Sequence, residues 1–181
     1  MSSPSDRIED ADGQAVIKGS RDVTVSRVIT GLEAGTAAGT LAEELGITAE
    51  GFLAALVHAA LGDPSKGGPD LVQRPPSHPK LGKALTLRVL ETLIPGRPKP
   101  LGLALLAGLL QIHDFWDESH QAAQEADDLG EREFSAYWHG IAHRREPDAG
   151  HASYWFRRVG RHPLSPILAA HALPLLEAFG D

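Results

Sequence analysis

Residues 113–163 carry most of the side chains in this sequence that are suited to chemistry. They include all three tryptophans, both tyrosines and six of the nine histidines of the 181-residue chain. Imidazole changes its charge near neutral pH and is the commonest metal-binding side chain in proteins. Because the sequence contains no cysteine, only histidine or carboxylate groups could hold a metal ion here. The segment is therefore interpreted as a binding or catalytic surface.

Four of these histidines have the spacing of metal ligands on helices. Residues four apart on an α-helix lie only about 40° from each other around its axis, so His139 and His143 share a face. Residues seven apart nearly coincide, so His113 and His120 share a face of the preceding helix with Asp117. We predict that these four histidines bind one divalent ion, which would be zinc, iron or manganese.

A bound ion of this kind would activate water for a hydrolytic or lyase-type reaction. The predicted catalytic residues are Asp117 and Glu118, as proton acceptors, and His143. Metal-bound imidazoles usually donate their second N–H group to an acceptor that fixes the ring. Asp114, Glu118 and Glu146 are the carboxylates expected to do so.

Basic residues beside the histidines predict an anionic ligand. Five of the six arginines and lysines in residues 101–181 fall within residues 144–161. Guanidinium groups grip carboxylate or phosphate through two parallel hydrogen bonds. The residues predicted to bind a small anionic ligand are Arg144, Arg145, Arg157, Arg158, Trp116, Trp138 and Tyr154.

The same residue types also have structural explanations. Histidines hold helices together when neighbouring acids and backbone carbonyls satisfy their ring nitrogens. The arginines would pair with acids such as Glu146 and Asp148. Trp138, Trp155 and Phe156 have helical spacing, which is typical of core residues.

The elements that must position these residues are predicted to be mainly α-helical. We predict a small helix-turn-helix-like module with a short β-strand pair over residues 1–62, a linker over 63–80 and an α-helical bundle over 81–181. The linker is rich in glycine and proline and has no sustained period.

The hydrophobic periodicity and the turn residues set the individual elements. Residues 14–19 are predicted to form a short strand, and residues 23–25 are predicted to pair with it or with a partner chain. No proline or glycine lies between Gln111 and Asp128, so the buried helix 101–112 is predicted to continue into the next one. The predicted helices are 25–32, 40–45, 49–61, 81–94, 101–112, 132–146, 149–159 and 166–179.

Net charge argues against nucleic acid as the main partner. The chain carries −7 overall, with 9 acids against 4 bases in residues 1–62, 3 against 7 in 63–100 and 12 against 6 in 101–181. Nucleic-acid binding modules usually have a basic surface, and only the middle segment is basic. No apolar segment approaches the roughly 20 residues that span a bilayer, and no secretory signal pattern begins the chain. We expect a cytoplasmic protein without membrane contact.

The first third of the chain resembles a known family. Residues 15–25 read A-V-I-K-G-S-R-D-V-T-V, and L-E-A-G at 32–35 and L-G-I-T-A-E at 45–50 follow. This order and spacing resemble the antitoxin-like domain-of-unknown-function family four-three-three. The resemblance implies a dimerising helix-turn-helix module that binds DNA or acts as an antitoxin. It adds an alternative function, a non-enzymatic DNA- or partner-binding regulator, and predicts a homo-oligomer formed through this module.

This chain departs from that family's pattern at two positions. Val23 replaces the proline of its I-P-V segment, and Asp22 replaces the isoleucine. Together with the acidic charge of the module, these changes favour dimerisation over DNA reading.

Residues 111–163 resemble a second family. They contain H-D-x-x-D-x-S-H, Y-W-H-G-I-x-H-R-R-E-P-D and Y-W-F-R-R-V-G-x-H-P. These motifs resemble an uncharacterised microbial family, and the resemblance implies no particular activity.

Overall fold

The computed structural model describes residues 7–9, 15–61 and 72–179, and this part of the chain is mainly helical, which confirms the predicted class. The elements in order are β1 (Arg7–Glu9), β2 (Ala15–Ile17), α1 (Lys18–Glu33), α2 (Ala38–Leu45), α3 (Ala49–Leu61), α4 (Leu81–Ala84), α5 (Leu87–Leu93), α6 (Lys99–Ile112), α7 (Trp116–Asp128), α8 (Phe134–Arg145), α9 (Ala149–Val159) and α10 (Ser165–Phe179).

The two strands lie at the start of the described chain. β1 and β2 are antiparallel, with Ile8 opposite Val16. The prediction that residues 23–25 pair with the strand is wrong, because these residues lie within α1. Burial explains the difference, since Val28 and Ile29 are almost completely buried one turn later and hold the whole segment in a helix.

The turns that separate α1, α2 and α3 follow the glycine signals. Gly35 and Gly46 both have positive φ values, 85° and 64°, which glycine adopts at little cost. Thr48 caps the start of α3, since its Oγ1 accepts a hydrogen bond from the Gly51 amide at 3.1 Å. The bounds predicted for α3 and α9 are confirmed.

One cluster of buried apolar side chains contains residues from both sides of the predicted linker. Phe52 and Leu56 of α3 belong to it together with Leu81, Leu110 and Phe115. Of the linker, residues 63–71 lie outside the described chain. The division into two modules at 63–80 stays a prediction.

The segment predicted as one helix over residues 81–94 consists of two helices, so that prediction is wrong. Thr86 separates α4 from α5 and has extended backbone angles. Its hydroxyl accepts a hydrogen bond from the Val89 amide at 3.4 Å, which provides an N-terminal cap for α5.

The chain also breaks between α6 and α7, where we predicted continuous helix. Asp114 has a φ of 65°, a left-handed conformation that aspartate tolerates better than most residues. The turn places Phe115, which is 6 % exposed, directly against Gly82. The run of residues without proline or glycine was a misleading signal, because an aspartate made the turn.

Small residues allow α6, α8 and α9 to approach closely. A Cβ atom at Gly108 of α6 would lie 2.6 Å from the Trp138 ring of α8, and one at Gly140 would lie 3.0 Å from Phe156 of α9. Trp138 therefore packs between helices, as its structural explanation predicted.

We expect Gly108→Ala to lower the free energy of unfolding by about 1–3 kcal/mol, because the added methyl group overlaps the Trp138 indole. Gly39→Ala is the matched control, since a Cβ there would lie 3.4 Å from its nearest neighbour, Thr92. Urea unfolding of both variants checks the prediction, and equal stabilities would contradict it.

The last helix, α10, differs from the others in its exposure. Its large apolar side chains are more than half exposed, and these are Ile167, Leu168, Leu173, Leu175 and Leu176. Among the described residues, no single helix has the length and hydropathy to cross a membrane, and α2 with α3 reaches them only as a pair bent by 102°.

Candidate metal centre

Three imidazole rings converge where α7 crosses α8. His120 comes from α7, while His139 and His143 come from successive turns of α8. One ring nitrogen from each lies within 4.8 Å of the others. These three residues could hold a metal ion, as predicted from their spacing.

Hydrogen bonds at the starts of α7 and α8 position these rings. Ser119 is fully buried, and its hydroxyl donates to the Ala107 carbonyl of α6 at 2.8 Å. This bond fixes α7 on α6 and turns the neighbouring His120 towards α8. The Glu131 carboxylate accepts backbone N–H groups at the beginning of α8, including that of Ser135 at 2.6 Å. Burial alone would raise the pKa of the Glu131 carboxyl group, but these hydrogen bonds lower it.

His139 is the innermost of the three rings. Its Nε2 atom lies 2.7 Å from Nε2 of His120, so one ring donates a proton and the other accepts it. Trp155 stacks on the face of the His139 ring, with the two ring centroids 3.8 Å apart. The residue is 2 % exposed, and its Nδ1 has no hydrogen-bond partner among the described residues. The surroundings therefore suit a neutral ring.

The same surroundings set the pKa values of the rings. Burial, followed by the charges of His120, His143, Arg158 and His151, lowers the pKa of His139 to about 3. Burial, followed by the charge of His143, also lowers the pKa of His120. The charges of Glu146 and Asp117 act in the opposite direction and raise it. Neutral imidazoles with free lone pairs are the form that binds metal ions.

We expect the free energy of unfolding of the metal-free protein to fall as the pH drops below 6.5. The unfolded chain binds a proton at His139 below that pH, whereas the folded protein does not until about pH 3. The loss should reach about 1.4 kcal/mol per pH unit for this group. Urea unfolding at pH 7 and pH 5 measures it. In a His139→Gln variant the free energy of unfolding should change less between these two pH values. A change as large as that of the wild type would contradict the prediction.

Glu146 orients the third ring. Its carboxylate lies 3.0 Å from Nδ1 of His143, the arrangement in which a carboxylate holds a metal-binding histidine. Of the three carboxylates predicted for this role, Glu146 takes it, whereas Asp114 contacts Arg145 instead and Glu118 is exposed. Nε2 of His143 is thereby left available for an ion.

The spacing of two of the rings, His120 and His139, is close to that of two ligands of a tetrahedral ion. Nitrogens bound to zinc at about 2.0–2.1 Å lie roughly 3.3 Å from each other, compared with the 2.7 Å between His120 and His139. Entry of an ion would therefore move these two rings apart by roughly 0.6 Å. Three ligands would leave a fourth position for water, as in catalytic zinc sites.

A second group of possible ligands shares His143 with the first. Nitrogens of His143 and His151 and an Asp148 oxygen lie within 4.8 Å of one another. Asp148 accepts from Nδ1 of His151 at 2.6 Å, which raises the pKa of His151 and lowers that of Asp148. The sequence signal for this group is the spacing of Asp148 and His151, three residues apart at a helix start, and our prediction missed it.

His113 is not in either group, so its predicted convergence with the other histidines is wrong. The break at Asp114 separates it from α7. It is 5 % exposed and donates a hydrogen bond to the backbone carbonyl of Leu56, while burial lowers its pKa. His113 is a core residue that connects the end of α6 to α3.

The structure places two of the four predicted ligand-binding arginines in ion pairs. Arg145 is 5 % exposed and contacts Asp114, which corrects its predicted place on a binding surface. Arg158 makes two hydrogen bonds to Asp127, at 2.8 and 2.9 Å. Arg157 donates to the Ser153 hydroxyl, and Arg144 is exposed.

The aromatic residues predicted to bind ligand have different surroundings. Trp116 stacks on His120 at 5.3 Å and donates from Nε1 to the Ala142 carbonyl at 2.9 Å, so it forms a wall of the metal centre. Trp155, which we assigned to the core, stacks on His139 and forms a second wall. Tyr154 is exposed and lies under Arg158.

The predicted catalytic acids lie at the start of α7. Asp117 and Glu118 are both exposed, and Asp117 acts on the charge of His120. Two cavities of about 530 and 410 Å³ lie among α1, α2, α3 and residues 78–89, and none of the predicted site residues lines them.

Comparisons of this chain with protein-family models, with curated proteins and with solved structures found no match. Both resemblances drawn from the sequence therefore stay predictions, and the proposed function depends on the geometry of the centre.

Proposed function

We propose that this protein binds one zinc ion through His120, His139 and His143 and hydrolyses a small anionic substrate. The observation that carries the proposal is the convergence of three imidazole nitrogens within 4.8 Å between two indole rings. Imidazole is a ligand of zinc, copper, nickel and iron, whereas manganese prefers oxygen ligands, and non-haem iron sites usually combine two histidines with a carboxylate. An all-nitrogen set favours zinc over the iron and manganese that the sequence left open.

The residues around the centre have distinct roles in this proposal. Zinc with three protein ligands lowers the pKa of a bound water to about 7 and supplies a nucleophile. Glu146 holds the His143 ring in the orientation for binding. Asp117 is the exposed acid whose charge acts on His120, and we assign it the transfer of protons to solvent.

The substrate class follows from the remaining guanidinium groups. Arg145 and Arg158 pair with carboxylates, so Arg144 and Arg157 are the predicted arginines left for an anion. Their exposure is suited to a phosphate or carboxylate group that reaches the centre from solvent.

Elemental analysis of protein purified without chelator or nickel resin tests the metal assignment. One equivalent of zinc per chain is expected, and a metal-free protein that takes up no added zinc would refute the proposal. Hydrolysis of p-nitrophenyl phosphate and p-nitrophenyl acetate then tests the reaction class. Activity that survives both metal removal and Asp117→Asn would contradict these roles.

A further inference from the structure

The two groups of possible metal ligands have one histidine in common. The inner group is His120, His139 and His143, and the outer group is His143, Asp148 and His151. The His143 ring lies 5.2 Å from His120, 5.2 Å from His139 and 5.1 Å from His151. The His143 ring is therefore about equally far from the histidines of the inner group and of the outer group.

Exposure changes in one direction across these residues. The side chain of His151 is 67 % exposed and that of Asp148 is 37 % exposed. The His143 side chain is 13 % exposed, and His139 is buried. A hydrated ion would meet the outer group first and lose water as it moved inwards.

The shared histidine allows only one ion at a time. Glu146 occupies Nδ1 of His143 at 3.0 Å, which leaves one nitrogen with one lone pair. That lone pair can serve the inner group or the outer group, but not both at once. The two groups are therefore alternative positions of a single ion.

We propose that His151 and Asp148 form an outer capture position, from which His143 passes the metal ion to the inner centre. This inference rests on the proposed zinc binding. Carboxylates at Asp148 and Glu146 attract the hydrated cation to the surface. In the inner centre a third imidazole replaces the exposed carboxylate, and zinc binds more strongly there because all three ligands are imidazoles in a less exposed site.

His151→Ala is the decisive variant. Asp148 is unsuitable, because its side chain also caps α9 by accepting the His151 amide at 2.9 Å. His151 is exposed, so its removal should leave the fold intact. His171→Ala, at an exposed histidine of α10, is the matched control.

Stopped-flow absorbance with Co²⁺ as the probe measures how fast metal-free protein is loaded. We expect His151→Ala to slow loading roughly tenfold, the effect of a modest rise in one barrier. Extraction by excess chelator should slow by the same factor, because a relay lowers the barrier in both directions. The equilibrium Kd and the stoichiometry of one ion should stay unchanged, and His171→Ala should behave like the wild type.

Three results would overturn the relay while leaving zinc binding in place. Loading at the wild-type rate would show that His151 takes no part. A stoichiometry that falls from two ions to one would show two independent sites. Slower loading with an unchanged extraction rate would mean a weaker Kd, and would show that His151 is a ligand of the final site. A wild-type protein that binds no metal would refute both the proposed function and the relay.

Discussion

His139→Ala is expected to weaken zinc binding by at least about 100-fold, because loss of even an indirect partner of a metal ligand costs 10–100-fold. His139 is the innermost ring, and its Nε2 atom faces His120 at 2.7 Å. Alanine leaves two imidazoles, which bind zinc weakly on their own. Competition with a chromogenic chelator at pH 7 measures the affinity.

His162→Ala is the matched control for this prediction. His162 is also buried, at 6 % exposure, and stacks on an aromatic ring, that of Tyr137, at 4.7 Å. It belongs to neither ligand group. Its removal should disturb packing to a similar degree but leave the zinc affinity within about twofold. Equal affinities for both variants and the wild type would show that the three rings do not bind the ion.

Arg145→Met is expected to lower the free energy of unfolding by about 3–5 kcal/mol, the usual cost of removing one partner of a buried ion pair. Arg145 contacts the Asp114 carboxylate and donates to the backbone carbonyls of Gln111 at 2.8 Å and Val72 at 3.3 Å. It fixes the left-handed turn between α6 and α7 to the end of α8. Without it, a partly buried carboxylate loses its counter-charge.

Arg144→Met tests whether the loss of stability comes from the buried position of Arg145 or only from the loss of one positive charge. The two arginines are adjacent, but Arg144 is exposed, so its replacement should change stability by less than about 0.5 kcal/mol. A double-mutant cycle with Asp114→Asn should give a coupling of about 1–3 kcal/mol. If Arg145 instead bound substrate, Arg145→Met would leave the unfolding curve unchanged and reduce only ligand binding.

Helical periodicity predicted the part of the candidate site that lies within regular elements. His139 and His143 share a face of α8 because four residues make about one turn, and this follows from sequence alone. The bounds of α9 also followed from its flanking residues, since Pro147 precedes its start and Gly160 ends it. Local signals were sufficient in these cases.

The parts that could not be predicted depend on contacts between distant residues. The turn at Asp114 is stabilised by Arg145, which lies 31 positions later in the chain. That turn separates His113 from His120, and His113 is buried beside α3. The buried role of Arg145 was hidden for the same reason, since adjacent arginines look equivalent in the sequence and only the fold distinguishes them.

The two indole walls give the metal centre a built-in optical signal. Trp155 lies 3.8 Å from the His139 ring and Trp116 lies 5.3 Å from that of His120, so both fluorophores touch residues that would hold the ion. An open-shell ion such as Cu²⁺ held by these residues would quench their emission at short range. Occupancy can therefore be followed without attaching a dye.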